Sequence, residues 1–154
     1  MNNALIPPAL HRNETDLPFV SDMAGYSFQL SHVDLEAGLW VIRTRLDPGT
    51  SLTTHRHTGP VLGFTLQGRW RYAEYGNDYL AGSHIYEPAN SLHTLQAPAD
   101  NTERADVWFA VWGANLLLDA DGEITAVRDA AAVLSSYLEL CEQAGHPRPD
   151  VIGA

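Results

Sequence analysis

Residues 49–68 read Gly49-Thr50-Ser51-Leu52-Thr53-Thr54-His55-Arg56-His57-Thr58-Gly59-Pro60-Val61-Leu62-Gly63-Phe64-Thr65-Leu66-Gln67-Gly68, with His55-Arg56-His57 at the centre. Side chains at i and i+2 of a β-strand leave from the same face, so the two imidazoles of such a strand form a chelating pair. A second strand-like run, Ser91-Leu92-His93-Thr94-Leu95, follows the turn Pro88-Ala89-Asn90 and adds a third imidazole. Three imidazoles gathered inside a small barrel hold a divalent metal. Imidazole donors suit iron, zinc, copper and nickel, so the residues alone do not choose among them.

Working outward, short runs rich in β-branched and aromatic residues recur along the chain. Tyr26-Ser27-Phe28-Gln29-Leu30 alternates as a first strand, and Gly38 to Leu46 forms a second, with Arg43 and Arg45 on one side. Asp47-Pro48-Gly49 then stops the chain as a type II turn, with Pro fixing the first corner and Gly accepting the positive φ of the second. Further strands are expected at 52–57, 61–67, 69–75, 79–80, 84–87, 91–96, 106–112 and 115–118, with Gly, Asn, Asp and Pro between them. Many short strands at regular spacing predict an all-β sandwich or barrel.

One helix is expected at the end. Asp129 is a fitting N-cap, and Val133, Leu134, Tyr137, Leu138 and Cys141 recur at helical spacing. Gly145 ends it, and Pro147 and Pro149 prevent continuation. The stripe is read as packing against the barrel's outer face or a partner subunit, with Cys141 as a small buried hydrophobe. The organisation is therefore an N-terminal arm over 1–27, a β-barrel over 28–128, and a helix with its tail over 129–154.

At 154 residues the chain is one domain. A single cysteine rules out an intramolecular disulfide and favours a reducing compartment; with no signal-like start and no long apolar run, a cytoplasmic protein without membrane contact is expected. A net charge of −10 on nine Lys and Arg offers little for phosphate counterion release, which argues against nucleic acid.

The spacing Gly49-x5-His55-x-His57-x3-Val61-x6-Gly68, then Gly82-x5-Pro88-x-Asn90-x2-His93, resembles the two paired motifs of the cupin superfamily, a double-stranded β-helix or jelly-roll barrel. In that pattern the first motif supplies two His and a Glu and the second supplies a His, which assigns His55, His57 and His93 as metal ligands. Two positions depart from it. Asn90 replaces a turn Gly, which is benign because Asn tolerates positive φ. Val61 replaces the Glu ligand, so three neutral imidazoles would leave a dication its full charge and favour substrates that chelate as anions, such as enolates.

A closer likeness extends over His55 to Val61, Gly68 to Tyr75, Tyr86-Glu87-Pro88-Ala89-Asn90-Ser91-Leu92-His93-Thr94-Leu95, Val107-Trp108-Phe109 and Gly113-Ala114-Asn115-Leu116. These stretches resemble the 2,4'-dihydroxyacetophenone dioxygenase family, with acetylacetone-cleaving dioxygenases as neighbours. The resemblance implies iron(II) as cofactor, a small ketone and oxygen as partners, and cleavage of a carbon–carbon bond beside a carbonyl. It also implies a homodimer or homotetramer, and places an acidic side chain near the metal at Glu87. That residue is read as a base that takes a substrate proton, with direct ligation or a structural role as alternatives. Val61, Phe64, Trp70, Tyr72, Leu95 and Trp108 are expected to wall the substrate pocket. His84 is read as exposed or as a donor to a ligand, Glu74 as a surface acid, and Arg69 and Arg71 as outward-facing.

Two rival readings stand beside the dioxygenase. One is a non-catalytic metal sensor like the cupin domains of zinc-dependent anti-sigma factors, against which the short arm argues. The other is a zinc, nickel or manganese cupin acting as isomerase or hydrolase.

Overall fold

A computed structural model describes residues 6–154. The expected runs form β1 (Tyr26–Asp34), β2 (Leu39–Leu46), β3 (His55–His57), β4 (Val61–Gln67), β5 (Arg69–Tyr72), β6 (Asp78–Leu80), β7 (His84–Glu87), β8 (Leu92–His93), β9 (Leu95–Gln96), β10 (Ala105–Trp112) and β11 (Asn115–Leu118). A further strand, β12 (Ile124–Arg128), and the helix α1 (Ala130–Gln143) complete the order. The fold is all-β with one C-terminal helix.

One layer is a five-stranded antiparallel sheet in the order β1-β2-β10-β4-β7. The other joins a four-stranded sheet, β12-β11-β3-β8, to a three-stranded one, β6-β5-β9. Only Thr94 separates β8 from β9, and 49–52 is bonded back onto 95–97 through Gly49 N to Ala97 O (2.9 Å) and Leu52 N to Leu95 O (2.9 Å). The two His-bearing segments thus run side by side.

Strand alternation sorts the first layer into rows. Val33, Trp40, Val111, Val61 and Glu87 are register partners in turn and all lie inward, as do Leu30, Ile42, Phe109, Gly63 and Ile85. Gly63 is small for a reason: a Cβ there would meet the Phe109 ring at 2.9 Å. The next row along, Gln29, Arg43, Trp108, Phe64 and His84, points to the opposite face.

The arm is fastened by charge as well as by burial. Arg43 and Arg45 both bond the buried Asp106 (2.7 and 2.9 Å), and both reach Glu14 (2.6 and 2.7 Å) on the arm. Arg45 also lies over the Phe19 ring at 3.7 Å, and Leu17 and Val20 are buried. The outward arginines of β2 therefore hold the arm in place.

α1 begins where its sequence asks. Asp129 accepts from Ala132 N at 2.8 Å, and Ala130, Val133, Tyr137 and Cys141 form the buried stripe. Tyr137 packs on Phe28 at 5.6 Å between ring centroids and donates to Pro18 O at 2.7 Å. Since α1 packs on β1, β2 and β12, it closes the open side of the barrel and lends Ala132, Val133 and Ser136 to the cavity wall. The tail then adds a parallel bridge, His32 to Ile152, along β1, which covers that sheet edge.

β12 escaped the sequence reading for a physical reason. Four of its five residues are exposed, so it carries no inside-outside alternation. Its turn is set by Asp119, whose carboxylate accepts from Asp121 N (3.0 Å) and Glu123 N (2.9 Å).

Candidate metal centre

The centre is built where β3, β8 and β7 meet. His55 and His93 are paired in register across β3 and β8, and His57 follows two positions along the same face. The turn within the second motif fixes that pairing: Asn90 adopts φ 71°, its N–H donates to His57 O (2.8 Å), and His57 N–H donates to Ser91 O (3.0 Å). All three imidazoles are buried, and their candidate ligand nitrogens lie within 4.8 Å of one another.

Each ring offers its Nε2. His55 Nδ1 lies 3.0 Å from Thr53 O; donation there leaves Nε2 as a bare lone pair, the orientation that metal-binding histidines use. Nε2 of His57 and Nε2 of His93 stand 3.0 Å apart. Tyr72 stacks on the His93 ring, with centroids 4.1 Å apart and planes 23° apart, and so sets its plane.

Glu87 completes the group. Its Oε2 lies 2.8 Å from His57 Nε2 and 3.4 Å from His93 Nε2, while the Tyr72 hydroxyl donates to Oε1. Burial pushes this carboxyl up, but the facing His57 and His93 prevail and, in the metal-free protein where their rings carry protons, hold it at about 2. Burial pushes the His55 imidazole down to about 4, aided by the neighbouring His57 and His93. Three converging imidazole nitrogens are a donor set that fits a divalent metal, which would take the place of the ring protons facing Glu87, with the ionised carboxylate beside it.

These groups line one end of a cavity of about 440 Å³. Val61, Leu95, Phe109, Val111, Trp40 and Phe28 supply apolar wall, and Asp22, Asn115 and Arg128 supply polar wall. Among the expected pocket residues, Val61 and Leu95 lie in this wall, and Tyr72 reaches it through Glu87.

The other three need correction. Trp70 is fully buried behind the wall, its indole N–H donating to Thr65 Oγ1 (2.8 Å) and its ring standing edge-on to Tyr72. Phe64 and Trp108 are partners on the outer row of the five-stranded sheet and are exposed, because alternation sends them opposite to Gly63 and Phe109. His84 lies in that same outer row. Glu74 is a structural acceptor for Thr94 N (2.8 Å) and Thr94 Oγ1 (2.7 Å), while Arg69 bonds Asn101 (2.9 Å) and Asp100. Sequence reasoning missed Asn115 and Arg128 as cavity residues; only the pairing of β3, β11 and β12 reveals them.

Among curated proteins none matches the chain. A solved cupin-like protein of unknown function from Ralstonia eutropha is 29% identical, with 96% of this chain and 93% of that one covered at a TM-score of 0.86. An acetylacetone dioxygenase from Acinetobacter johnsonii is 18% identical, with 88% and 93% covered at 0.75. The anti-sigma factor ChrR of Rhodobacter sphaeroides, solved with SigE, is 18% identical, with 65% and 52% covered at 0.54. Residues 9–109 match the ChrR cupin-like domain, and both histidine motifs lie inside that span. The protein is a cupin and belongs to the ChrR cupin-like family.

Proposed function

We propose that the protein is an iron(II)-dependent dioxygenase that cleaves a carbon–carbon bond beside a carbonyl in a hydroxyketone or β-diketone. The observation that carries this reading is the set of three buried imidazoles beside an ionised Glu87, opening onto a largely apolar cavity. The fold likeness to the acetylacetone dioxygenase supports it.

His55, His57 and His93 would hold the iron, which supplies a dication for a chelating enolate and reactivity toward oxygen. Neutral imidazoles leave that charge undiminished, and Val61 presents a methyl-lined wall where a carboxylate would reduce it. Glu87 Oε2 takes the acidic proton of the bound ketone, and Tyr72 keeps the carboxylate turned toward the histidines through Oε1. The apolar wall of Val61, Leu95, Phe109 and Val111 excludes bulk water. Overall, one carbon–carbon bond breaks and both atoms of O2 enter the products, so no external reductant is required.

Isotopically labelled oxygen tests this. Label is expected in the carboxylate products of protein loaded with iron(II) and given a β-diketone or hydroxyketone. Label entering only from water would make the reaction a hydrolysis. A second reading, a metal-sensing domain without turnover, is favoured by the family match itself, since ChrR is an anti-sigma factor. Tight binding of zinc with no turnover of any ketone would support it.

A further inference from the structure

An imidazole that ligates through Nε2 carries its one proton on Nδ1, and that N–H then needs an acceptor of its own. His55 has one in the Thr53 carbonyl, at 3.0 Å. His57 and His93 differ, because the Nδ1 atom of each is buried without a partner among the described residues. Beside His57, however, stands a group with the complementary lack. Asn115 is its register partner across β3 and β11, so the two side chains share the inward face with Cβ atoms ~5 Å apart. Both line the same cavity. Asn115 Oδ1 is also buried and unpaired among the described residues, which sets an acceptor lacking a donor next to a donor lacking an acceptor. On the other side of His57, whose backbone N–H donates to Ser91 O at 3.0 Å, the Ser91 hydroxyl is a further buried group without a partner. His93 has His55, itself a ligand, as its register partner.

We propose that Asn115 is a positioning residue for the metal centre: its carboxamide oxygen accepts from His57 Nδ1–H, directly or through one water, and holds the ring with Nε2 presented to a divalent cation. On metal loading His57 gives up the Nε2 proton that faces Glu87 Oε2 at 2.8 Å and keeps the one on Nδ1, so the bond to Asn115 forms when the cation is captured. The amide oxygen suits a centre whose ligands are neutral, because it orients the imidazole without adding charge, where a carboxylate in its place would offset part of the dication. This role goes beyond the ketone-cleaving reading, since it concerns the capture of metal and holds equally for a centre that only senses metal.

The test measures zinc affinity by competition with a chromophoric chelator for the wild-type protein, Asn115→Leu and Ser91→Ala, alongside the denaturant midpoint of each metal-free form. Asn115→Leu is expected to weaken zinc binding roughly 10- to 100-fold, the scale of losing the outer hydrogen bond of a ligating imidazole. Its metal-free form should unfold at the same or a higher midpoint, because leucine replaces an amide oxygen that has no partner there. A packing role would lower both quantities together. In zinc-loaded protein isotopically labelled at its histidine nitrogens, the His57 Nδ1–H resonance should exchange slowly with water. It should exchange rapidly in Asn115→Leu and move downfield in Asn115→Asp, whose acceptor is charged. Wild-type zinc affinity in Asn115→Leu overturns the assignment, as does a loss matched by an equal fall in metal-free stability, or a loss confined to Ser91→Ala. The measurements use metal alone, so they judge this role separately from the ketone chemistry.

Discussion

Val61 and Glu87 are register partners across β4 and β7, at the inward end of one row of the five-stranded sheet. The carboxylate that the first motif lacks at Val61 is thus present on the facing strand, with Oε2 at 2.8 Å from His57 Nε2. Moving it there changes its service. At Val61 it would be held by the sheet as a fixed ligand, whereas at Glu87 one oxygen is engaged by Tyr72 and the other faces the histidines.

Glu87→Gln is expected to retain metal at wild-type stoichiometry and to lower kcat by about 100-fold, the scale of a lost general base. Metal analysis and steady-state kinetics check this. Loss of metal together with rate would make Glu87 a ligand, and unchanged kinetics would remove it from the chemistry.

Tyr72→Phe removes the donor to Glu87 Oε1 and leaves a buried carboxylate oxygen without its partner. Destabilisation of about 1–3 kcal/mol is expected in denaturant unfolding. Losing that donor also raises the Glu87 pKa, so the acidic limb of the pH–rate profile should move upward.

Acid should destabilise the metal-free protein in a defined window. Burial, with His57 and His93 beside it, lowers His55 from 6.5 to about 4, so the unfolded chain binds the proton first as pH falls. Stability is full above about 6.5 and declines down to about 4, by an amount on the order of 3 kcal/mol. For Glu87, burial opposes ionisation but the two histidines win, so its contribution is present above 4.5 and is lost toward about 2. Melting temperatures of the metal-free protein across this range test the sign, and His55→Gln should flatten the upper part.

Trp108→Ser probes the outer face. Trp108 pairs with Phe64 on the side of the sheet away from the cavity, so kcat/KM should change less than about twofold and stability by about 0.5 kcal/mol or less. A large rise in KM would put the indole in the substrate wall.

Most of the fold was legible because alternation and turn chemistry agree in this chain. β4, β7 and β11 lie where their residues predict, and Asp129 and Gly145 bound α1 as caps should. The histidines were legible because i and i+2 spacing has one geometric meaning in a strand. Facing was harder for aromatics: Phe64 and Trp108 look like pocket residues by type, and only Gly63 and Phe109 between their partners show which side is inside. The distal wall was hidden for a different reason. Asn115 and Arg128 reach the cavity through pairings between β3, β11 and β12, and β12 has too little burial to announce itself as a strand.

Oxygen uptake is the most direct measurement of the proposed chemistry. Protein loaded anaerobically with iron(II) is offered a panel of β-diketones and hydroxyacetophenones, with His93→Ala as the control. Expected is oxygen consumption in step with ketone loss, abolished in His93→Ala along with bound metal. Stable iron binding with no uptake on any ketone would contradict a carbon–carbon-cleaving dioxygenase, and a marked preference for zinc in the same experiment would turn the assignment toward a metal sensor.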